Sequence, residues 1–309
     1  MRLMRKRSVL LVALSLGSTV AIVIGVQGAA GAPAAMHVKV TGRDYASQLS
    51  VKPLPDVPGV LDRRREVWGG RDEMSDRRVT GRYRSAFDTW EYSDGRAHFA
   101  DMTFSLTNAK GAWKGSSIGV RGTDGSHFIR GVSFGAGHYQ GLRYVVILYD
   151  KASGTAGTHL LDVDGWIERV TAAPPVVEST DEVHVKVTGK STPAQVLPAT
   201  GQRAGTERTS DPRTTGAYRG TMKLYRYSDG RMHFFGTYAL ENEQGTWEGD
   251  WYGVVTRDRR YIQFVDAVGT GAFEGLRYRH VDVGRYPKSS PKTVTLAVNG
   301  WIESVESSS

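Results

Sequence analysis

Two stretches have the spacing of a serine nucleophile. Gly115-Ser-Ser117-Ile-Gly119 and Gly131-Val-Ser133-Phe-Gly135 both read G-x-S-x-G. In a hydrolase that pattern makes a sharp strand-to-helix turn that lifts the hydroxyl toward a base. Here strand-forming residues flank both motifs, and the related second half of the chain carries Trp251 and Ala267 where the serines stand. No helix succeeds either motif for the turn to enter, so serine catalysis is set aside. A phosphate cradle is the next reading, because Gly135, Gly137 and Gly141, and again Gly269, Gly271 and Gly275, recur closely. That chemistry also needs a helix after the glycines. The chain instead continues as Leu142-Arg-Tyr-Val-Val-Ile-Leu-Tyr149, rich in β-branched and aromatic residues, so the glycines are read as structural.

The histidines offer metal chemistry only in fragments. His98 and His233 each come just after an Asp-Gly-Arg turn, and His280-Val-Asp282 puts two polar groups on one strand face. A metal site needs three or four converging ligands, and no H-x-H or H-x-x-x-H spacing supplies them. Exposed or capping roles are therefore expected, with no metal and no cofactor. The tryptophans are the better candidates. Trp113 and Trp247 lie between two glycines, and Trp251 shares a face with Trp247 by parity. Such rings hold flat apolar ligands or sugars, or else cover the glycines and fill a core. The candidate ligand-binding set is Trp113, Trp247 and Trp251, with Tyr139 and Phe273 from the glycine stretches. Serine stands at 117 where the second half has Trp251, and the sequence leaves open which half would hold a ligand.

The elements that position these groups are strands. Ala100, Met102, Phe104 and Leu106 alternate with Asp101, Thr103, Ser105 and Thr107, the pattern of a half-buried strand. Ser93-Asp-Gly95 and Ser228-Asp-Gly230 are hairpin turn signals. Gly135, Gly137, Tyr139 and Gly141 fall at every second position, so as one strand they line one face, with an aromatic ring covering bare backbone. Val145, Ile147 and Tyr149 are apolar on one side of the next strand, and Tyr144, Val146 and Leu148 on the other. A strand apolar on both sides must be covered on both. It is expected to pack against the other half of the chain or against a protein partner.

From residue 36 onward the same blocks occur twice, in the same order. Met36-His-Val-Lys-Val-Thr-Gly42 matches Val183-His-Val-Lys-Val-Thr-Gly189, Tyr92-Ser-Asp-Gly-Arg96 equals Tyr227-Ser-Asp-Gly-Arg231, and Gly165-Trp-Ile-Glu168 equals Gly300-Trp-Ile-Glu303. The offset is 147 at the first block (183 − 36) and 135 at the second (227 − 92). A period this long is a duplicated domain, not a solenoid repeat. The change in offset falls in early stretches, Arg43 to Arg77 and Lys190 to Pro212, which read as variable inserts. The copies also slip by one residue between Phe99/Phe234 and Gly111/Gly245, as a β-bulge in one of them would cause. The organisation is a leader over 1–35, a first β-barrel domain over 36–170, a proline-bearing linker over 171–182 and a second β-barrel domain over 183–309.

Composition sets the setting. Arg2, Arg5, Lys6 and Arg7 precede an uncharged apolar run from Ser8 to Val26 and the small residues Gly28-Ala-Ala-Gly-Ala32. That is the layout of a secretory signal peptide, so the protein is expected to be secreted, with membrane attachment only if the leader stays uncleaved. The 309-residue chain has 40 Lys+Arg and 32 Asp+Glu; without the leader's four basic residues the balance is 36 − 32 = +4. That modest, interspersed charge gives no footprint for nucleic acid. There is no cysteine, so no disulfide staples an exported chain whose stability must come from a core.

The glycine–aromatic blocks, G-x-W-x-G, then G-x-G-x-(Y/F)-x-G-L, then a terminal G-W-I, resemble the allene oxide cyclase and dirigent-like barrels and their bacterial relatives. The likeness covers about Arg78 to Val170 and Arg213 to Val305. It implies an all-β protein of two tandem antiparallel, eight-stranded, calycin-like barrels with partly apolar interiors. No residue here matches the cyclase's catalytic positions, so activity is not carried over, and fold does not fix function. The expectation is a non-enzymatic protein that binds a small apolar or aromatic ligand, or a partner protein through Val145, Ile147 and Tyr149. The alternatives are a cyclase- or isomerase-like enzyme working in an apolar cavity, and a structural or inhibitory module.

Overall fold

The computed structural model describes residues 36–151, 158–171, 179–194, 201–287 and 294–305. The leader and most of the linker lie outside them. Strands β1 (His37–Pro53), β2 (Asp62–Met74), β3 (Gly81–Glu91), β4 (Ala97–Asn108), β5 (Gly111–Arg121), β6 (Ser126–Gly137), β7 (Leu142–Lys151) and β8 (Thr158–Arg169) pair in sequence order, and β8 returns to β1 to close a barrel. The second barrel uses β9 (Ser179–Pro193), β10 (Gln202–Thr209), β11 (Gly216–Thr221), β12 (Lys223–Arg226), β13 (Met232–Glu241), β14 (Gly245–Val255), β15 (Arg260–Gly271), β16 (Leu276–Arg285) and β17 (Leu296–Val305). There β11 and β12 are two halves of one wall strand, parted at Met222, and both pair with β13. With β17 paired to β9 and β10 to β11, eight wall positions close on themselves. All pairings are antiparallel, as the alternation and turns required.

Three sequence expectations change. The stretches from Arg43 to Arg77 and from Lys190 to Pro212 are not inserts: they carry much of β1 and all of β2, and the end of β9 with all of β10. Each closes with a short 3₁₀ turn, Arg77–Val79 or Pro212–Thr214, capped by the side chain of Asp76 or Asp211. The glycine stretches are not single strands. Strand β6 ends at Gly137 and β7 begins at Leu142, with a tight turn between them in which Gly137 (φ 67°) and Gly141 (φ 77°) take the left-handed conformation. The aromatic does cover bare backbone, because a Cβ on Gly135 would sit 2.2 Å from the Tyr139 carbonyl oxygen. Finally, alternation along β4 breaks at a bulge. The β4–β5 register shifts between Phe99 and Met102, and Asp101 takes φ 48°. Phe99 and Met102 therefore both face the interior while Ala100 faces outward. The β13–β14 ladder runs without a shift, which accounts for the one-residue slip between copies.

Each barrel has its own apolar interior, and a third core lies between them. Val145, Ile147 and Tyr149 are buried in that third core, together with Tyr252, Val254, Ile262, Phe264 and Trp301 of the second barrel. The second barrel thus covers the two-sided apolar strand. The contact is made by equivalent residues from both sides, as in a twofold dimer. His37 stacks on Tyr225 at 3.6 Å and His184 on Trp90 at 3.8 Å. Lys39 pairs with Asp229 at 2.7 Å and Lys186 with Asp94 at 3.0 Å. Asp266 joins the halves electrostatically: it meets Arg130 at 2.9 Å across the interface and Arg277 at 2.6 Å on its own side. Those cations hold its carboxyl far below the usual carboxylate range against the cost of burial.

Candidate functional site

The first barrel encloses a cavity of about 290 Å³. Its wall is built by alternation, since every second residue of β1 to β8 points inward. Met102, Ser117, Ile129, Val146 and Leu148 form an apolar waist. At one end lie Asp44 and Asp72, which face each other across the β1–β2 pairing and are 5% and 4% exposed. At the other lie Glu66, Trp68, His127 and His159, with Gln48, Arg64 and Arg121 at the rim.

The acid pair is chemically unusual. Burial pushes the Asp44 carboxyl up to about 6, although hydrogen bonds to Asp72 and Tyr83 act the other way. Asp72 is pushed well above the carboxylate range by burial and then by the charge and hydrogen bond of Asp44. Two carboxyls this close in a low-dielectric interior cannot both ionise at neutral pH, so the pair carries a proton. Asp44 Oδ1 is buried and has no partner within the protein. It is an acceptor aimed at whatever donor enters.

The opposite end is a fixed polar frame. Glu66, 4% exposed, accepts from Trp68 Nε1 at 2.8 Å, Gln48 Nε2 at 2.7 Å, Thr89 Oγ1 at 2.6 Å and Arg64 Nε at 2.9 Å. Trp68 packs on His159 at 4.5 Å, and His159 on His127 at 5.0 Å. Burial, aided by His159 and Arg121, drives His127 down to about 4, and burial, aided by Arg121 against the opposing charge of Glu66, lowers His159 as well. Both imidazoles are neutral at pH 7, free to donate and accept hydrogen bonds rather than to carry charge.

The five residues singled out from sequence lie elsewhere. Trp113 is fully buried, stacks on Tyr139 at 5.2 Å and donates to the Arg78 carbonyl at 2.8 Å. Trp247 and Phe273 repeat this at 4.9 Å, with the Arg213 carbonyl at 2.7 Å. These pairs close one end of each barrel and pin the 3₁₀ turn. Trp251 fills the middle of the second barrel among Tyr218, Tyr238 and Arg203, whose guanidinium lies 4.8 Å from the indole ring. None of the five lines the first barrel's cavity. Ser133 and Ser117 sit within β6 and β5, with no elbow at either; Ser117 is a cavity wall.

The histidines expected in exposed or capping roles are buried. His98, His233 and His280 are 0%, 0% and 1% exposed. His98 and His233 accept or donate to Tyr92 and Tyr227 at 3.0 Å each, and His233 meets Asp164 across the interface at 2.7 Å. His280 points inward beside Asp282 and Glu207, which together form a group able to hold a metal ion. The cavity residues Asp44 and Asp72 escaped the sequence reading because they lie in the stretch taken for an insert. One signal was there: Asp72 and Glu207 are acids at the same 135 offset (207 − 72) inside otherwise dissimilar segments.

No protein-family model, no curated protein and no solved structure matches the chain.

Proposed function

We propose that the chain is an exported binding protein whose first barrel holds one small, largely apolar or aromatic molecule. The cavity carries this reading: a space of about 290 Å³ with an apolar waist and a polar group at each end, near the small end of ligand pockets, which run about 300–1,000 Å³. The ligand's body fits the ring of Met102, Ile129, Val146 and Leu148. A hydroxyl or amine on it satisfies Asp44 Oδ1, and the Glu66–Trp68–His159 frame orients its outer end. The second barrel, whose interior packs Tyr218, Tyr238, Trp251 and Tyr261 together, buttresses the first. The likeness to allene oxide cyclase and dirigent-like barrels belongs to this reading as a proposed kinship of fold, since it rests on the glycine–aromatic framework alone.

Native mass spectrometry of the full chain from its own source tests the proposal. One non-covalent adduct per chain, lost on acid unfolding, is expected. A chain that carries no adduct, and whose melting temperature moves with none of a panel of small aromatic alcohols and amines, contradicts it.

A second reading is favoured by the acid pair. A protonated carboxyl beside an ionised one can give a proton at one atom of a bound molecule and take one at another, which is what a cyclase or isomerase needs. Incubating the co-purified molecule with the wild type and with Asp72→Asn separates the two: turnover by the wild type alone makes the site an active site.

A further inference from the structure

We propose that the interior of the second barrel binds one divalent transition-metal cation through His280, Asp282 and Glu207, with Zn²⁺ the ion that fits best. The three side chains come from two strands that do not adjoin. Alternation along β16 turns His280 and Asp282 inward, and β10 brings Glu207 to meet them. They are 1%, 0% and 1% exposed. His280 Nε2 stands 3.6 Å from Glu207 Oε1 and 3.6 Å from Asp282 Oδ1, and one ligand atom from each residue falls within 4.8 Å of the others. Those separations are long for hydrogen bonds. They suit the edges of a tetrahedron, which span roughly 3.3–3.6 Å when the metal bonds are about 2.0–2.2 Å.

The second observation is what these atoms lack. Both nitrogens of His280 and Asp282 Oδ1 are buried without a hydrogen-bond partner, and buried polar atoms are ordinarily satisfied. The carboxylates also have outer partners, one of them on Glu207 Oε1 itself, a carboxylate oxygen with a second lone pair to offer. Tyr238 donates to Glu207 Oε1 at 2.9 Å, Tyr278 to Glu207 Oε2 at 3.4 Å, and the Gln263 amide to Asp282 Oδ2 at 3.0 Å. Gln263 is itself fixed by Tyr261 at 2.6 Å and by Arg203. Outer partners of this kind orient ligands toward a metal. The first barrel has Val146 and Leu148 at the places of His280 and Asp282, so the fold does not require polar groups there. One imidazole with two carboxylates selects a borderline cation such as Zn²⁺ over Mg²⁺ or Ca²⁺. In a chain with no cysteine, a cation tying β10 to β16 supplies the cross-link a disulfide otherwise would. Enclosure means that the ion enters as the barrel folds.

The tag-free full chain is unfolded with chelator, refolded with and without Zn²⁺, desalted and assayed for metal. The wild type is expected to keep one Zn²⁺ per chain and to melt at a higher temperature than the zinc-free preparation. His280→Val, which installs the first barrel's residue, is expected to keep at least tenfold less. X-ray absorption of the loaded wild type should show one imidazole and otherwise oxygen, a readout that stands even where His280→Val fails to refold. A wild type that retains no zinc, a zinc shell with two or more imidazoles, or a folded His280→Val that keeps a full equivalent overturns the site.

Discussion

Ser117 and Trp251 hold the same place on β5 and β14, and the difference between a hydroxymethyl and an indole empties one barrel and fills the other. Ser117 lines the cavity. Trp251 is fully buried and donates to the Thr221 carbonyl at 3.0 Å, at the break between β11 and β12. The duplication thus kept one wall and gave it two interiors.

Ser117→Trp is expected to fill the cavity of the first barrel and to lower affinity for any cavity ligand by at least tenfold; because Trp251 sits against Gly220 and Gly236, where the first barrel has Ser85 and Met102, the ring takes its room from the cavity and at some cost in stability. Isothermal titration with the ligand found on the wild type checks this; undiminished affinity places the ligand outside the barrel. The reverse change, Trp251→Ala, leaves a hole and an orphaned carbonyl, and should cost about 3–5 kcal/mol in urea denaturation, the usual range for a buried aromatic.

The acid pair makes stability depend on pH with a sign opposite to that of most carboxylates. The Asp44 carboxyl has a raised value in the folded state, about 6 against 3.8 unfolded, so the folded state binds more protons between those values. Its contribution is fully present below the unfolded value and lost as pH rises through about 6. Asp44→Asn removes the like charge facing Asp72 and is expected to gain on the wild type in urea midpoint as pH goes from 4 to 8. A difference between the two proteins that stays constant over that range would show that the pair is not coupled.

The framework was legible and the site was not, for a physical reason. The glycine–aromatic blocks recur because a Cβ at Gly135 or Gly269 collides with the Tyr139 or Phe273 backbone at 2.2 or 2.1 Å, a constraint that both barrels share. Val145, Ile147 and Tyr149 were legible as a face to be covered because both parities of β7 are apolar. Asp44 and Asp72 were not, because their partners in the second barrel are Ser191 and Glu207: the inward positions differ where the interiors differ. Alternation says that a residue points inward, but not whether inward means packed core or open cavity. The turn at Gly137–Gly141 is hidden in the sequence because period-two glycines look the same in a strand and through a tight turn.

The interface between the barrels should respond to acid. Burial is the largest cause that drives His37 and His98 down to about 3, and it lowers His184 too. Their folded values lie below the unfolded 6.5, so the stability they contribute is present at neutral pH and lost as pH falls from 6.5 toward the folded values. Both nitrogens of His37 lack a hydrogen-bond partner, and its ring stacks on Tyr225. His37→Phe keeps the stack and removes the titration. At pH 7 the larger ring should cost no more than about 1–3 kcal/mol, the usual range for overpacking, and the change should move the acid midpoint of tryptophan fluorescence to lower pH. An unmoved midpoint excludes His37 from the transition.

The two kinds of glycine in the hairpin should fail in different ways. Gly141 has φ 77° and open space around its Cβ position, so Gly141→Ala meets only backbone strain, about 1–2 kcal/mol. Asparagine tolerates that conformation better, so Gly141→Asn should recover part of the loss. At Gly135 no unusual φ is involved, but the new methyl meets the Tyr139 carbonyl oxygen at 2.2 Å and its Cβ at 2.5 Å. Relief requires moving the turn, and with it the Tyr139 ring that stacks on Trp113 and the Tyr139 hydroxyl that donates to Asn108 at 2.8 Å. Gly135→Ala should therefore cost more than Gly141→Ala, by about 1–3 kcal/mol for the overpacking alone, and should shift the Trp113 fluorescence that Gly141→Ala leaves in place. Equal urea midpoints for the two alanine variants would mean that the turn yields freely, and that the Tyr139–Trp113 stack does not lock this end of the barrel.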